Sequence, residues 1–274
     1  MKYGLLAGAS AAALGLAGLA APAKAGDILL TGHDNDYHCN YGPTNPCAGG
    51  ASSVFGSEVA YVRNGSSLPV LSIDNGSELT SALGAVGVAF HNVTVNAVTA
   101  GMFNHSTYSA FVVASVSSCG GCDNPIGTGA HLATFSTAID SFFNAGGGIL
   151  GLTSAGDSTG FSYVPEATTS SPIYSSSGFV TTAAGSTIPG FAAVNGDQTH
   201  NTFAGFASFY QVAETFGVGG PAVTIFGNGK ISCTKPGGCT IHGVPEPISL
   251  SLLGAGLFGL AAARRAPRFL GLRR

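Results

Sequence analysis

Two oily segments bracket this 274-residue chain and confine any water-soluble fold to what lies between them. The first, residues 4–21, follows the single positive charge of Lys2, is rich in Ala and Gly, and breaks at Pro22. It runs into Ala23-Lys24-Ala25, a small-x-small pattern of the kind signal peptidase reads. Residues 1–25 are therefore expected to leave as a signal peptide, with Gly26 opening the exported protein. A plain membrane anchor is the alternative, and the break at Pro22 argues against it. The second segment, 248–263, is a sixteen-residue run, apolar but for two serines, and is followed by Arg264 and Arg265. As a helix rising ~1.5 Å per residue it reaches about 24 Å, short of a ~30 Å hydrocarbon core. Snorkelling arginines cover the difference and hold the basic end, 264–274, in the cytoplasm. Between the two segments, 26–243 offers about 218 residues, enough for one core and one domain.

Immediately before the second oily segment stand Val244, Pro245, Glu246 and Pro247. The paired prolines keep this stretch extended and unpaired, as a processing enzyme requires of a peptide in its cleft. An extended P-E-P, an apolar helix and a basic end, in that order, resemble the PEP-CTERM sorting signal. The resemblance implies transient anchorage through the helix, cleavage near the motif by an exosortase with Glu246 as a recognition residue, and delivery to the cell surface or extracellular matrix. It also implies a setting of exopolysaccharide and biofilm. An ordinary C-terminal anchor is the alternative.

The net charge of −3 hides an asymmetry. Of ten Lys and Arg, Lys2 and Lys24 lie in the leader, and Arg264, Arg265, Arg268, Arg273 and Arg274 lie in the tail. Arg63, Lys230 and Lys235 remain against thirteen acids between Asp27 and Glu246, a net charge of −10. Such a body repels phosphate backbones and carries no basic stripe, which argues against nucleic-acid binding. Charged residues are 8% of the chain, against about 25% in ordinary soluble domains. The surface must then be polar but uncharged, which suits a neutral glycan environment.

Six cysteines fall in three local pairs, Cys39 with Cys47, Cys119 with Cys122, and Cys233 with Cys239. Export makes disulfides the default, and proximity favours the local set, each bridge pinning a loop. Zinc is disfavoured because no second C-x-x-C completes a four-thiolate site. A thioredoxin-type reading of C-G-G-C is disfavoured because Asp123-Asn124-Pro125 follows where that chemistry needs a helix start.

Along the body, apolar runs alternate with helical spacing. Strands are expected at 27–31, 69–73, 109–116, 149–153, 211–214 and 222–226. Helices are expected at 53–62, from Ser77 through Val86, and through Leu132, Phe135, Ile139, Phe142 and Phe143 to the stop at Ala145-Gly146-Gly147-Gly148. Residues 93–98 give no clear pattern, and 167–186 reads as a Ser/Thr/Gly-rich insertion or hairpin. The alternation points to an α/β fold with a doubly wound, mostly parallel sheet of flavodoxin-like or glutamine-amidotransferase-like kind.

Three elements carry a family resemblance: Ile28-Leu29-Leu30-Thr31-Gly32-His33-Asp34, the triple glycine leading into Ile149-Leu150-Gly151-Leu152, and Thr199-His200-Asn201 followed by Phe206, Phe209 and Glu214. Together they resemble the trehalose-utilisation (ThuA-like) branch of the class I glutamine-amidotransferase-like family. Departures bear on chemistry: Thr153-Ser154 stands where that branch has a His, Asn201 where it has a Pro, and Ala213-Glu214 where it has an acidic pair. The elbow 152–156 has no cysteine for an amidotransferase thiolate. Its one nucleophile, Ser154, is a residue out of the G-x-S-x-G spacing, and a turn serine is the plainer reading.

His33, Asp34, Asp36 and His38 sit at the expected carboxyl end of the first strand, where open α/β sheets place ligands, and mix donors able to hold a divalent metal. Turn-capping roles for the two acids compete with that reading. His200, Ser154 and Glu214 are the catalytic candidates. No G-x-G-x-x-G, Walker loop or H-E-x-x-H is present, so no organic cofactor is expected. Two functions follow: a non-catalytic ThuA-like component of the surface or matrix, associated with exopolysaccharide, or a hydrolase or sugar-processing enzyme at the sheet crevice. The missing elbow chemistry favours the first.

Overall fold

The computed structural model describes residues 24–42, 44–116, 122–169, 173–196, 199–235 and 238–242. The expected apolar helix 248–263, the motif Val244 to Pro247, Arg264, Arg265 and nearly all of the leader lie outside these residues. Among the described residues no helix is long and apolar enough to cross a membrane.

The parallel half of the sheet is built from β1 (Asp27–Thr31), β2 (Val70–Ile73), β3 (Phe90–Val93), β4 (Ala110–Val113) and β5 (Gly148–Gly151). They lie in the order β3-β2-β4-β5-β1, with Leu71 opposite Phe111 and Ile149 opposite both Phe111 and Ile28. Every residue of β1, β2, β4 and β5 is buried, because helices cover both faces. That is why these strands read as unbroken apolar runs rather than alternating ones. On one face Ile28, Leu30, Phe111, Val113 and Ile149 pack with Leu132, Ile139, Phe142 and Phe143. On the other, Leu29, Val70, Val112 and Leu150 pack with Phe55, Val59, Val62, Leu79 and Leu83.

The helices on the second face are α2 (Val54–Arg63) and α3 (Glu78–Ala85); a short α1 (Asn35–His38) precedes them. Ser53 caps α2 as its sequence position suggests, its Oγ accepting from Gly56 N at 3.0 Å. The first face carries α4 (Thr128–Ala133) and α5 (Ser136–Asn144) where a single run was expected. Thr134 makes the break: its hydroxyl donates to His131 O at 2.7 Å, and Phe135 N donates to Leu132 O at 2.9 Å, tightening the turn. The glycine stop forms as expected. Gly146 takes φ 108°, while Gly146 N donates to Phe143 O and Gly147 N to Phe142 O, closing a Schellman turn.

The remaining strands are antiparallel, which corrects the expectation of a mostly parallel sheet. They are β6 (Ala167–Thr169), β7 (Phe179–Thr181), β8 (Phe203–Phe206), β9 (Gln211–Phe216) and β10 (Ala222–Asn228). β10 lies against β1, pairing Asp27 with Asn228 and Thr31 with Thr224. For β9 and β10 the reason is loop length. The link between β9 and β10 is only 217–221, with glycines at 217, 219 and 220, whereas a parallel crossover needs roughly a dozen residues. β8 was not expected from sequence, nor was the hairpin of β11 (Lys230–Lys235) and β12 (Gly238–His242), in which Cys233 and Cys239 stand directly opposite.

Candidate functional site

The carboxyl ends of β1, β4 and β5 converge, and the segment 199–201 closes over them. His200 N donates to Gly32 O at 3.0 Å, Thr153 N to His33 O at 3.1 Å, and Val116 N to Thr153 O at 3.0 Å. Gly32 is needed for this closeness: a Cβ there would lie 1.9 Å from Asn201 O. The segments Gly32-His33-Asp34, Thr153-Ser154 and Thr199-His200-Asn201 thus meet at one place, around the end of the first strand.

The predicted residues separate into three groups there. His33, fully buried, turns toward the antiparallel half. Its Nε2 lies 2.9 Å from Glu214 Oε2 and its Nδ1 lies 2.9 Å from Thr199 Oγ1. In the neutral ring, Nε2–H donates to the carboxylate and Nδ1 accepts from the hydroxyl. Glu214 is held further by Val194 N and by the Thr224 hydroxyl, both at 2.9 Å.

Asp34 forms the second group. Its Oδ2 lies 2.9 Å from His200 Nε2, and its Oδ1 lies 3.4 Å from His38 Nε2. Cys122 Sγ, which belongs to a disulfide, stands 3.8 Å from the same carboxylate. His200 is 2% exposed, its Nδ1 has no hydrogen-bond partner, and the edge of its ring meets Tyr174 at 5.3 Å between centroids.

Asp36 forms the third. It does not cap its own turn; it accepts from Ser115 N at 2.8 Å and contacts the Ser115 hydroxyl, 79 residues away. Burial pushes its carboxyl up to about 7, against the lowering effect of the Ser115 contacts. Behind it, Asn35 Nδ2 donates to both oxygens of Glu58 at 3.0 Å, and burial raises that carboxyl to about 8.

Ser154 lies at the carboxyl end of β5, buried, with Oγ unpaired. Its N–H, at 3.1 Å, and the Thr153 hydroxyl both donate to Asn201 Oδ1. No helix follows for Ser154 to cap; 155–166 is a run of turns and bends.

Both nitrogens of His33 and both oxygens of Asp36 are therefore engaged by protein groups, and the quartet His33, Asp34, Asp36 and His38 points three ways. Among the described residues, no three His, Cys, Asp or Glu side chains converge in a metal-holding group. Asn35, Glu58, Ser115 and Thr224 were not anticipated, and Thr199 was noted only as part of the Thr199-His200-Asn201 segment. Only their places beside strand ends or against the His-Asp turn connect them to the site.

The Cys39–Cys47 disulfide forms as the local pairing suggested, with Cα atoms 5.1 Å apart. Cys119 and the side chains of Cys233 and Cys239 lie outside the described residues. Residues 243–266 match the PEP-CTERM protein-sorting motif. The chain carries an exosortase sorting signal. The match takes in Val244, Pro245, Glu246, Pro247, Arg264 and Arg265, and with it comes processing by an exosortase and export to the cell surface or beyond. No curated protein and no solved structure matches the chain.

Proposed function

We propose that this PEP-CTERM protein is a non-catalytic surface or matrix component whose α/β body associates with exopolysaccharide. The observation that carries the reading is how the polar groups at the sheet's carboxyl end are used. His33, Asp34, Asp36, Ser154, His200 and Glu214 are each at most 2% exposed. Most of their polar atoms bind one another or the backbone, so the groups a ThuA-like domain would present in a crevice here brace the interior instead. The net negative, sparsely charged body and its sorting signal fit life among neutral glycans.

A ThuA-like descent for the body is part of the same proposal. It is supported by the meeting of Gly32-His33-Asp34, Thr153-Ser154 and Thr199-His200-Asn201 at one end of the parallel strands. The strand order weighs against close kinship, since β1 lies beyond β5 rather than inside the parallel set as in a flavodoxin-like sheet.

One observation favours the second reading, a hydrolase. Asp34 orients His200 through Nε2 while His200 Nδ1 and Ser154 Oγ are both buried without partners, and a base oriented by a carboxylate is how acyl-transfer sites begin. The test is one preparation and two assays: cosedimentation of the exported body with exopolysaccharide from its own bacterium, and turnover on a panel of esters, amides and glycosides. Cosedimentation without turnover is expected. Turnover that His200→Ala abolishes would replace this reading with the second.

A further inference from the structure

We propose that signal peptidase cuts between Ala23 and Lys24, so that the mature protein begins at Lys24 rather than at Gly26. Two small-x-small frames overlap here, Ala21-Pro22-Ala23 and Ala23-Lys24-Ala25, and the sequence pattern is satisfied by both. The fold separates them on three counts.

Ala25 is 2% exposed and belongs to the core cluster that contains Ile28, Phe142 and Phe143. Cleavage after it would remove a core methyl. Lys24 Nζ lies 3.3 Å from Asp27 Oδ2, with the lysine side chain 58% exposed and the aspartate side chain 4%. Cleavage after Ala25 would take away the cation that offsets the burial of Asp27, whose carboxyl desolvation raises and Lys24 lowers.

The third count is the new terminus itself. Gly26 is buried, and its N–H donates to Phe143 O at 2.7 Å with Gly147 O crowding the same place, 1.9 Å from where a Cβ would sit. An amide fits there with its single hydrogen. An ammonium would bring a full charge and two more donors into the interior. At Lys24, by contrast, the ammonium emerges in water. The cut is an ordinary hydrolysis: the Ala23–Lys24 amide breaks, water supplies hydroxide to the Ala23 carboxyl and its proton to the Lys24 amine.

The test is export of the chain with its own leader from a bacterial host, followed by N-terminal sequencing and intact mass. The expected product begins Lys24-Ala25-Gly26; a product beginning at Gly26 overturns the proposal. Ala21→Glu provides a second reading without touching the folded body, because Ala21 matters only to the upstream frame. It should remove the product that begins at Lys24, with any remaining processing shifted to the frame ending at Ala25, and unchanged cleavage after Ala23 would contradict the assignment. Two bodies made with defined starts should also differ, the one from Lys24 melting several degrees above the one from Gly26; equal melting would mean that the fold does not discriminate between them.

Discussion

Asp36 and Glu58 are carboxyls that burial has pushed up to about 7 and about 8. For a raised acid, the unfolded chain ionises first as pH rises, so the folded state binds more protons and stability falls with pH. Below their unfolded values both states are protonated and the effect vanishes. The protein should therefore lose stability between about pH 4 and pH 8. Asp36→Asn should flatten the lower part of that decline and Glu58→Gln the upper part, as read from denaturation midpoints across pH. A profile that rises through this window in the parent protein would contradict the assignment. Glu214 tests the neighbouring group differently. Glu214→Ala strands His33, the Thr224 hydroxyl and Val194 N without their shared acceptor. A cost of about 3 kcal/mol in urea unfolding is expected; a loss within 0.5 kcal/mol, the ordinary scale for a surface change, would mean the group is dispensable. His33, Asp34 and Asp36 were legible in the sequence because three polar side chains after an apolar strand are conspicuous. His200 and Glu214 were legible as candidates too, but their pairing with Asp34 and His33 was not, nor was Ser115 beside Asp36, because these contacts join residues 79 to 181 positions apart.

At the level of elements, helix caps show the same limit. Ser53 caps α2 from the adjacent position, and sequence suffices to see it. Ser77 stands at the equivalent place before α3 but makes no side-chain cap. Asp123 does that work from a distant loop, accepting from Ser77 N at 2.8 Å and Glu78 N at 2.9 Å. Asp123→Ala should therefore cost about 1 kcal/mol while Ser77→Ala costs a few tenths, measured as shifts in urea midpoint. The reverse order would show that the local serine governs the helix. β1, β2, β4, β5 and α2, α3 and α5 were readable because two covered faces demand unbroken apolar runs and one-sided helices, whereas the half-exposed parallel strand β3 was not expected. β8 and β11–β12 escaped for the opposite reason. Phe203-Ala204-Gly205-Phe206 is short and glycine-broken, and the last hairpin is built of Lys, Ser, Cys and Thr with few apolar marks.

For the molecule as a whole, two independent lines run in parallel. The sorting signal sets where the protein goes, and the packing of its interior sets what the body is able to do once there. Among the described residues a mixed sheet of ten strands has a doubly covered parallel half, and the body carries few charged residues, mostly acidic. The most direct test of the central claim is intact mass of the surface-recovered protein from cells with and without their exosortase. The account predicts that the exosortase-bearing cells release a product ending near Val244 to Pro247, while cells without the enzyme keep the full tail in the membrane fraction. The same trimmed product from both would contradict it.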